Sequence, residues 1–348
     1  MARLSLSRRF ATLGAAALTT LTVAACSTAA SGSSASGGGN SLVLGSPGIP
    51  TVISGVMPYI AQKQGFYKKY GVNVTIKNFS TGTDATRALA TGQIDMAITP
   101  PAQLVELDSQ SPAKLVALQG QEVPDWSVVS TNPKINSCAA LKGQSVGVDA
   151  VGGIRYIALV QMLKTCGLSI NDVHPLAFPG NSNPQALAAG QLKVSVLHLN
   201  EVVAVTAQGK KLTTAVNMAT AVPDTMYEMY SVTKSNLAKK RALIVKAIAA
   251  QIATIKWMAD PANASAVAQY ATVTGDTKAD LLKAMAQYRK IGFWSTTSAG
   301  LPQLNIDNTI KGQIAAGNVK AADAPAYKNI VDQSVYAAAA KLEAQKGF

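Results

Sequence analysis

Few side chains in this 348-residue chain have the types and spacing of a site. Arg155 follows Val151-Gly152-Gly153-Ile154, at the opening of a predicted helix. A cation in a first turn opposes the helix dipole. It therefore needs an anionic partner, which a bound carboxylate or sulfonate would supply; otherwise it stays solvated at the surface. Trp126 can stack on a flat ligand or pack a hinge. His198 closes an apolar run and can hydrogen-bond a ligand or be satisfied within the protein. Gly152 and Gly153 permit close backbone approach to a ligand, or simply form a loop. Trp257 and Trp294 fall in helical stretches and read as core.

Metal chemistry is not expected. His174 and His198 are the two histidines, and no Cys-x-x-Cys or His-x-x-x-His spacing occurs. Gly-x-Ser-x-Gly and Gly-x-Gly-x-x-Gly are also missing, so neither a nucleophile elbow nor a phosphate-cradling loop is read. No cofactor is expected.

The first 25 residues read as an export signal: Arg3, Arg8 and Arg9, then a short apolar stretch from Phe10 to Ala25. It is too short for a spanning helix, which needs roughly 20 apolar residues. Val23-Ala24-Ala25-Cys26 resembles the bacterial lipobox, in which the Cys becomes a lipidated N-terminus. Ser7-Arg8-Arg9 leaves the choice of Sec or twin-arginine export open. Residues 26–41, almost wholly Ser, Ala and Gly, read as a flexible tether. The formal charge is +13, or +10 without the three leader arginines, and the lysines are scattered. Such scatter fits a solvated face and argues against nucleic acid, although a basic field attracts small anions. No further apolar run is read as membrane-spanning. Cys138 and Cys166, an isolated pair in an exported body, are expected to form a disulfide.

These residues are positioned by a grammar that repeats. Arg87–Ala102 reads RALATGQIDMAITPPA, and 98 residues later Gln185–Asn200 reads QALAAGQLKVSVLHLN. Each copy is a helix, a Gly stop and a strand. Strands are predicted at 42–44, 72–76, 94–98, 145–148, 174–178, 194–197 and 227–232. Helices are predicted at 54–70, 85–91, 150–164, 235–260, 262–271, 276–291 and 323–345. The alternation predicts an α/β protein with parallel sheets flanked by helices. Residues 42–348 are too many for one ordinary domain, so two lobes are expected. Ligands bind beyond the carboxyl ends of such strands. Thr99-Pro100 and His198-Leu199-Asn200 would then face each other across a cleft. Asp95 and Lys193, at the strand starts, read as structural.

Pro58-Tyr59-Ile60-Ala61, Gly65-Phe66-Tyr67-Lys68-Lys69-Tyr70-Gly71-Val72, Ala88-Leu89-Ala90-Thr91-Gly92-Gln93-Ile94-Asp95 and the Leu141-Lys142-Gly143 turn together resemble one family. It is the solute-binding proteins of ABC importers for sulfonates, nitrate, taurine and thiamine-precursor pyrimidines. The resemblance covers about residues 42–260. The second corner departs from it, with Gly-Gln-Leu-Lys-Val where the family usually has Gly-Gln-Val-Asp-Ala.

The resemblance implies a two-lobe type II periplasmic-binding fold with a hinge and a central ligand cleft. Crossovers are implied near 121–130 and 221–230, with lobe 1 at 42–124 and 226–348 and lobe 2 at 125–225. It also implies a monomer that delivers a small polar or anionic solute to an ABC permease and its ATPase, lipid-anchored outside the cytoplasm. A ligand-sensing lipoprotein and a pyrimidine-synthase-like enzyme are the alternatives. Within that fold, helix N-termini at Thr81–Asp84, Pro100–Ala102, Val151–Ile154 and Asn181–Pro184 would offer N–H groups to an anion, though Asp84 opposes one beside it. The ligand-facing residues expected are Ser46, Thr83, Thr99, Trp126, Gly153, Arg155, Asn181, His198 and Asn200.

Overall fold

The computed structural model describes residues 39–347 apart from Pro112, Glu122, Gly152 and residues 179–181. The leader, Cys26, most of the tether and the candidate Asn181 lie outside the described residues. Strand β1 (Ser41–Pro47) leads through α1 (Val56–Lys63) and α2 (Phe66–Lys69) to β2 (Asn73–Phe79). Then come α3 (Gly82–Ala90), β3 (Met96–Thr99), α4 (Pro101–Gln110) and β4 (Leu115–Gln121). The chain continues as β5 (Ser127–Ser130), β6 (Ser145–Val148), α5 (Ile154–Lys164) and β7 (His174–Ala177). It goes on through α6 (Asn183–Ala188), β8 (Val194–Leu197), α7 (Leu199–Ala207) and β9 (Thr213–Asn217). After α8 (Met218–Ala221) and β10 (Glu228–Thr233) the chain is helical. Its helices are α9 (Lys234–Ala259), α10 (Ala264–Ala271), α11 (Lys278–Ile291), α12 (Gln303–Ala315), α13 (Tyr327–Ile330) and α14 (Gln333–Lys346).

Two five-stranded sheets result, ordered β2-β1-β3-β10-β4 and β7-β6-β8-β5-β9. The repeated corner supplies the middle strand of each. In both copies the helix stops at a left-handed glycine, Gly92 (φ 74°) and Gly190 (φ 80°), where a Cβ would be strained. The anchors of the two corners differ. Asp95 accepts the Val43 N–H at 2.9 Å and pairs with Lys240 at 2.7 Å. Lys193 instead lends its backbone carbonyl to the Thr131 N–H and the Ser130 hydroxyl, both at 3.0 Å.

The sheets are not wholly parallel as the alternation predicts. β10 runs antiparallel to β3 and β4, and β5 antiparallel to β8 and β9. The reason lies in the route of the chain. β4 and β9 each end at the rim, and the chain passes from there straight into the other sheet. The strand it enters must therefore start at the rim and run backwards. β4, β5 and β9 carry no clear alternation in sequence, because β4 and β5 are buried along their whole length.

Three helical expectations are also corrected. The helix expected over 54–70 breaks at Gly65, whose φ is 73°. The one expected over 323–345 is interrupted where Val331 bridges Ala117 of β4, and Asp332 then caps α14. α12 was not foreseen. α9 is itself long and apolar enough to cross a membrane by length and composition, but its apolar stretch is 61% buried inside the fold. Ala247–Ala250 sit at the centre of the core between α1, α2, α14 and the first sheet. A disulfide joins Cys138, ahead of β6, to Cys166, just beyond α5, with the Cα atoms 6.0 Å apart.

Candidate functional site

The rim where β3, β4, β8 and β9 end gathers two polar clusters. The first belongs mainly to the second sheet. Arg155 is only 2% exposed and forks onto Glu201, Nη1 donating to Oε2 at 2.7 Å and Nη2 to Oε1 at 2.6 Å. Nη1 also donates to the Val196 carbonyl at 2.8 Å. Glu201 is the third residue of α7, and from there it reaches back to accept the His198 N–H at 2.8 Å. It thus caps the helix and neutralises the arginine together. Burial works against both charges. The Arg155–Glu201 attraction outweighs it, holding the carboxyl below its usual range and the guanidinium above its own.

His198 lies beside this pair. Its Nδ1 sits 2.9 Å from Asp125 Oδ1, and its ring stacks on Trp126 with centroids 3.5 Å apart. The Arg155 guanidinium lies 5.0 Å from the Trp126 ring centre, within cation–π range. Asp125 also accepts the Leu199 N–H at 3.2 Å and the Tyr288 hydroxyl. Burial pushes the Asp125 carboxyl up, but these partners, His198 foremost, outweigh that and hold it low. Asn200 is also engaged within the protein: its Nδ2 donates to Asp276 at 2.6 Å and its N–H to the Tyr288 oxygen at 3.2 Å.

The second cluster belongs to the first sheet and is unlike the first. Glu228 opens β10, paired with Gln121 at the end of β4. It is 2% exposed and its Oε2 has no hydrogen-bond partner. Burial pushes its carboxyl up to about 7; nearby Ser54 and His198 pull it down, and Asp125 pushes it up again. Gln121 Nε2 donates to the Ser54 carbonyl at 3.2 Å, leaving Gln121 Oε1 without a donor. The Thr99 hydroxyl is buried without a partner as well. The first residue of α3, Gly82, backs onto this group. A Cβ there would stand 3.5 Å from Glu228 Oε1 and 2.9 Å from the Pro100 ring.

Two cavities open between elements of the two sheets. One, of about 680 Å³, is lined by Pro101 and Gln103 of α4, Ile157 and Gln161 of α5, Trp126 and Tyr227. The other, of about 420 Å³, lies between Thr51 and Ile53 on one side and Pro184, His198 and Asn200 on the other. The stacked Trp126–His198 pair therefore gives one ring to each lining.

Several expected roles change. Arg155 has its anion already in Glu201, so it is not waiting for a ligand's. Gly153 is required by Asp149, because a Cβ would come within 2.4 Å of Asp149 Oδ1. That carboxylate accepts the Ala150 and Arg155 N–H groups and so fills the N-terminus of α5 from within the chain. Ser46 is buried against the Thr51 hydroxyl at 2.8 Å. Thr83 is half-buried in the first turn of α3, whose cap is Thr81. Trp126 and His198 do reach cavities, and Thr99 keeps an unpartnered hydroxyl. Among the described residues no cluster of metal-ligating side chains occurs.

Asp125, Glu201, Tyr288 and Glu228 were missed. Glu201 had a legible signal, the helix-capping spacing of His198-Leu199-Asn200-Glu201. Glu228 had a weaker one, a lone acid at the head of a strand with no other charge. Asp125 and Tyr288 had none, since their partners lie far away in sequence.

Two sheets of this order, joined at one rim with cavities between them, define the two-lobe fold of periplasmic binding proteins. The NMT1/THI5-like family model matches residues 55–264, and the chain belongs to that family. A Brucella abortus (strain 2308) protein named as a binding protein is 27% identical over 134 residues, or 38% of this chain and 40% of that one. The chain thus matches less than half the length of this curated relative. The periplasmic sulfonate-binding protein SsuA from Methylobacillus flagellatus KT superposes with a TM-score of 0.68 at 16% identity, covering 89% of this chain and 96% of that one. The periplasmic nitrate-binding protein NrtA from Synechocystis PCC 6803 gives 0.70 at 13%, covering 89% and 91%. The desulfurization enzyme DSZB has the same fold, with a TM-score of 0.59 at 12% identity over 87% of this chain and 99% of that one.

Proposed function

We propose that this chain is the solute-binding component of an ABC importer. It captures a small polar organic solute between lobe 1 (42–124 and 226–348) and lobe 2 (125–225) and delivers it to a permease and its ATPase. The observation that carries this reading is the 680 Å³ cavity walled by α4 on one side and α5 on the other. Contacts from both walls exist together only when the lobes close, so ligand binding favours closure. Thr83 and Thr99 would face the solute from lobe 1, and Trp126 with His198 from the crossover and lobe 2. The names of the sulfonate- and nitrate-binding neighbours support the same class of activity.

A thermal-shift screen against sulfonates, aromatic carboxylates and pyrimidines tests the reading. A ligand specific to the folded state adds about 2.7 kcal/mol at a hundredfold excess over its dissociation constant. If no small solute of any class shifts the transition, the binding reading fails.

Export and lipidation at Cys26 belong to the same proposal. Cys26→Ala is expected to move the protein from the membrane fraction to the soluble one with binding intact. Recovery in the membrane pellet at the wild-type level removes the anchor. The shared fold with DSZB favours one second reading, an enzyme acting in the same cleft. Chemical conversion of a bound solute by purified protein would establish it.

A further inference from the structure

The group around Glu228 is short of donors. Its carboxylate Oε2 and the Gln121 Oε1 are buried acceptors with no proton to receive. Both sit at the paired ends of β10 and β4, where the chain passes between the sheets. The Thr99 hydroxyl, also unpartnered, brings at most one proton, and the Ser54 hydroxyl is already a hydrogen-bonding neighbour of Glu228. No lysine or arginine is among the groups that act on Glu228; His198 and Asp125 are the charged or chargeable neighbours. A buried carboxylate without a counter-charge is costly to keep unless something completes it.

The cluster borders the cavities through its chain neighbours. Ile53, next to Ser54, lines one cavity, while Pro100 and Tyr227, next to Thr99 and Glu228, line the other. Gly82 keeps the N-terminus of α3 clear of the carboxylate, since any side chain there would collide with Pro100. The aromatic side is supplied by Tyr227, whose ring lies 6.0 Å from Trp126 and 6.1 Å from His198.

We infer that Glu228, with Gln121 and Thr99, receives a nitrogenous ligand head group carrying at least two N–H donors, of the protonated amine or amidine class. The inference rests on the binding reading above and sharpens its substrate class. A solute whose polar end is only a sulfonate or carboxylate would meet acceptors and a negative charge there. Arg155, the buried cation of the first cluster, is already consumed by Glu201. An N–H donor group would instead satisfy Glu228 Oε2 and Gln121 Oε1 together and supply the missing charge.

Isothermal titration with two probe pairs tests this: benzamidine and ethylamine as donors, benzoate and ethanesulfonate as anions. Wild-type protein is expected to bind a donor probe and neither anion. Glu228→Gln, which keeps shape and loses charge, is expected to weaken that binding at least about 30-fold, as for a truncated buried charge pair. Should Glu228→Gln fail to fold, Thr99→Val removes another unpartnered group, with about a fivefold loss expected. Binding of the anions alone, or equal donor binding by wild type and variant, overturns the assignment and leaves the cleft a binding site. A protein that binds neither class overturns this inference, and the binding reading then falls only if the thermal-shift screen also finds no solute.

Discussion

The two polar clusters at the rim have opposite states. Around Arg155, Glu201, His198 and Asp125, every buried charge has a partner within hydrogen-bonding distance. Around Glu228, Gln121 and Thr99, two acceptor oxygens and a hydroxyl are buried with none. A closed network holds geometry, because each group's desolvation is offset by a fixed partner. An open one leaves desolvation uncompensated, which is how a binding site differs from a structural joint. The second cluster is where a ligand has something to add.

Breaking the closed network should have the largest effect. Arg155→Ala strands a buried Glu201 carboxylate and is expected to lose about 3–5 kcal/mol of stability in denaturant unfolding. A variant as stable as wild type would mean that the pair opens to solvent and that the two clusters are less different than drawn.

The disulfide comes next. It staples the segment ahead of β6 to the end of α5, the helix that carries Arg155 of the closed network. Removing it by Cys138→Ser and Cys166→Ser should cost about 3–4 kcal/mol by the loop-entropy argument. Thiol labelling of oxidised protein should find neither cysteine reactive, and reactive thiols would refute the bridge.

Glu228 gives an effect of opposite sign. Its carboxyl is raised to about 7 in the fold, against the 4.5 ordinary for an exposed glutamate. The folded state therefore holds the proton more tightly than the unfolded chain. Without ligand, the contribution of Glu228 to stability should be greatest below about pH 4.5, fall as pH rises to about 7, and level off. The span is on the order of 3 kcal/mol. Asp125 and Glu201, held low, lose their contributions only as pH falls through their depressed values, in a more acidic window. Glu228→Gln should remove the decline between pH 4.5 and 7 and be more stable than wild type at pH 8. An unchanged profile would mean that the carboxylate is not uncompensated.

The smallest effect sits where the clusters meet. Trp126→Phe loses part of the stack on His198 and should cost about 1 kcal/mol. It should also remove most of the ligand-dependent fluorescence change. Trp257→Phe, on α9, and Trp294→Phe, just past the end of α11, should preserve it. A signal carried instead by Trp294 would place the moving region among the C-terminal helices.

The sequence by itself determined what is decided within a few residues. The repeated Ala-Leu-Ala corner needed only helical spacing and a glycine able to take positive φ, and both copies appear as middle strands. The family resemblance was legible in the same way, from short motifs between Pro58 and Asp95. Tertiary structure decided what depends on which strands become neighbours. Arg155 meets Glu201 across 46 positions, His198 meets Asp125 across 73, and Tyr288 meets Asp125 across 163. Spacing therefore cast Arg155 as an arginine awaiting an anion, when the fold had already supplied one. Glu228 went unread, because β10 runs antiparallel between β3 and β4 and only that placement buries it at the rim. Periodicity and turn chemistry act locally along the chain, whereas charge pairing and desolvation act through space.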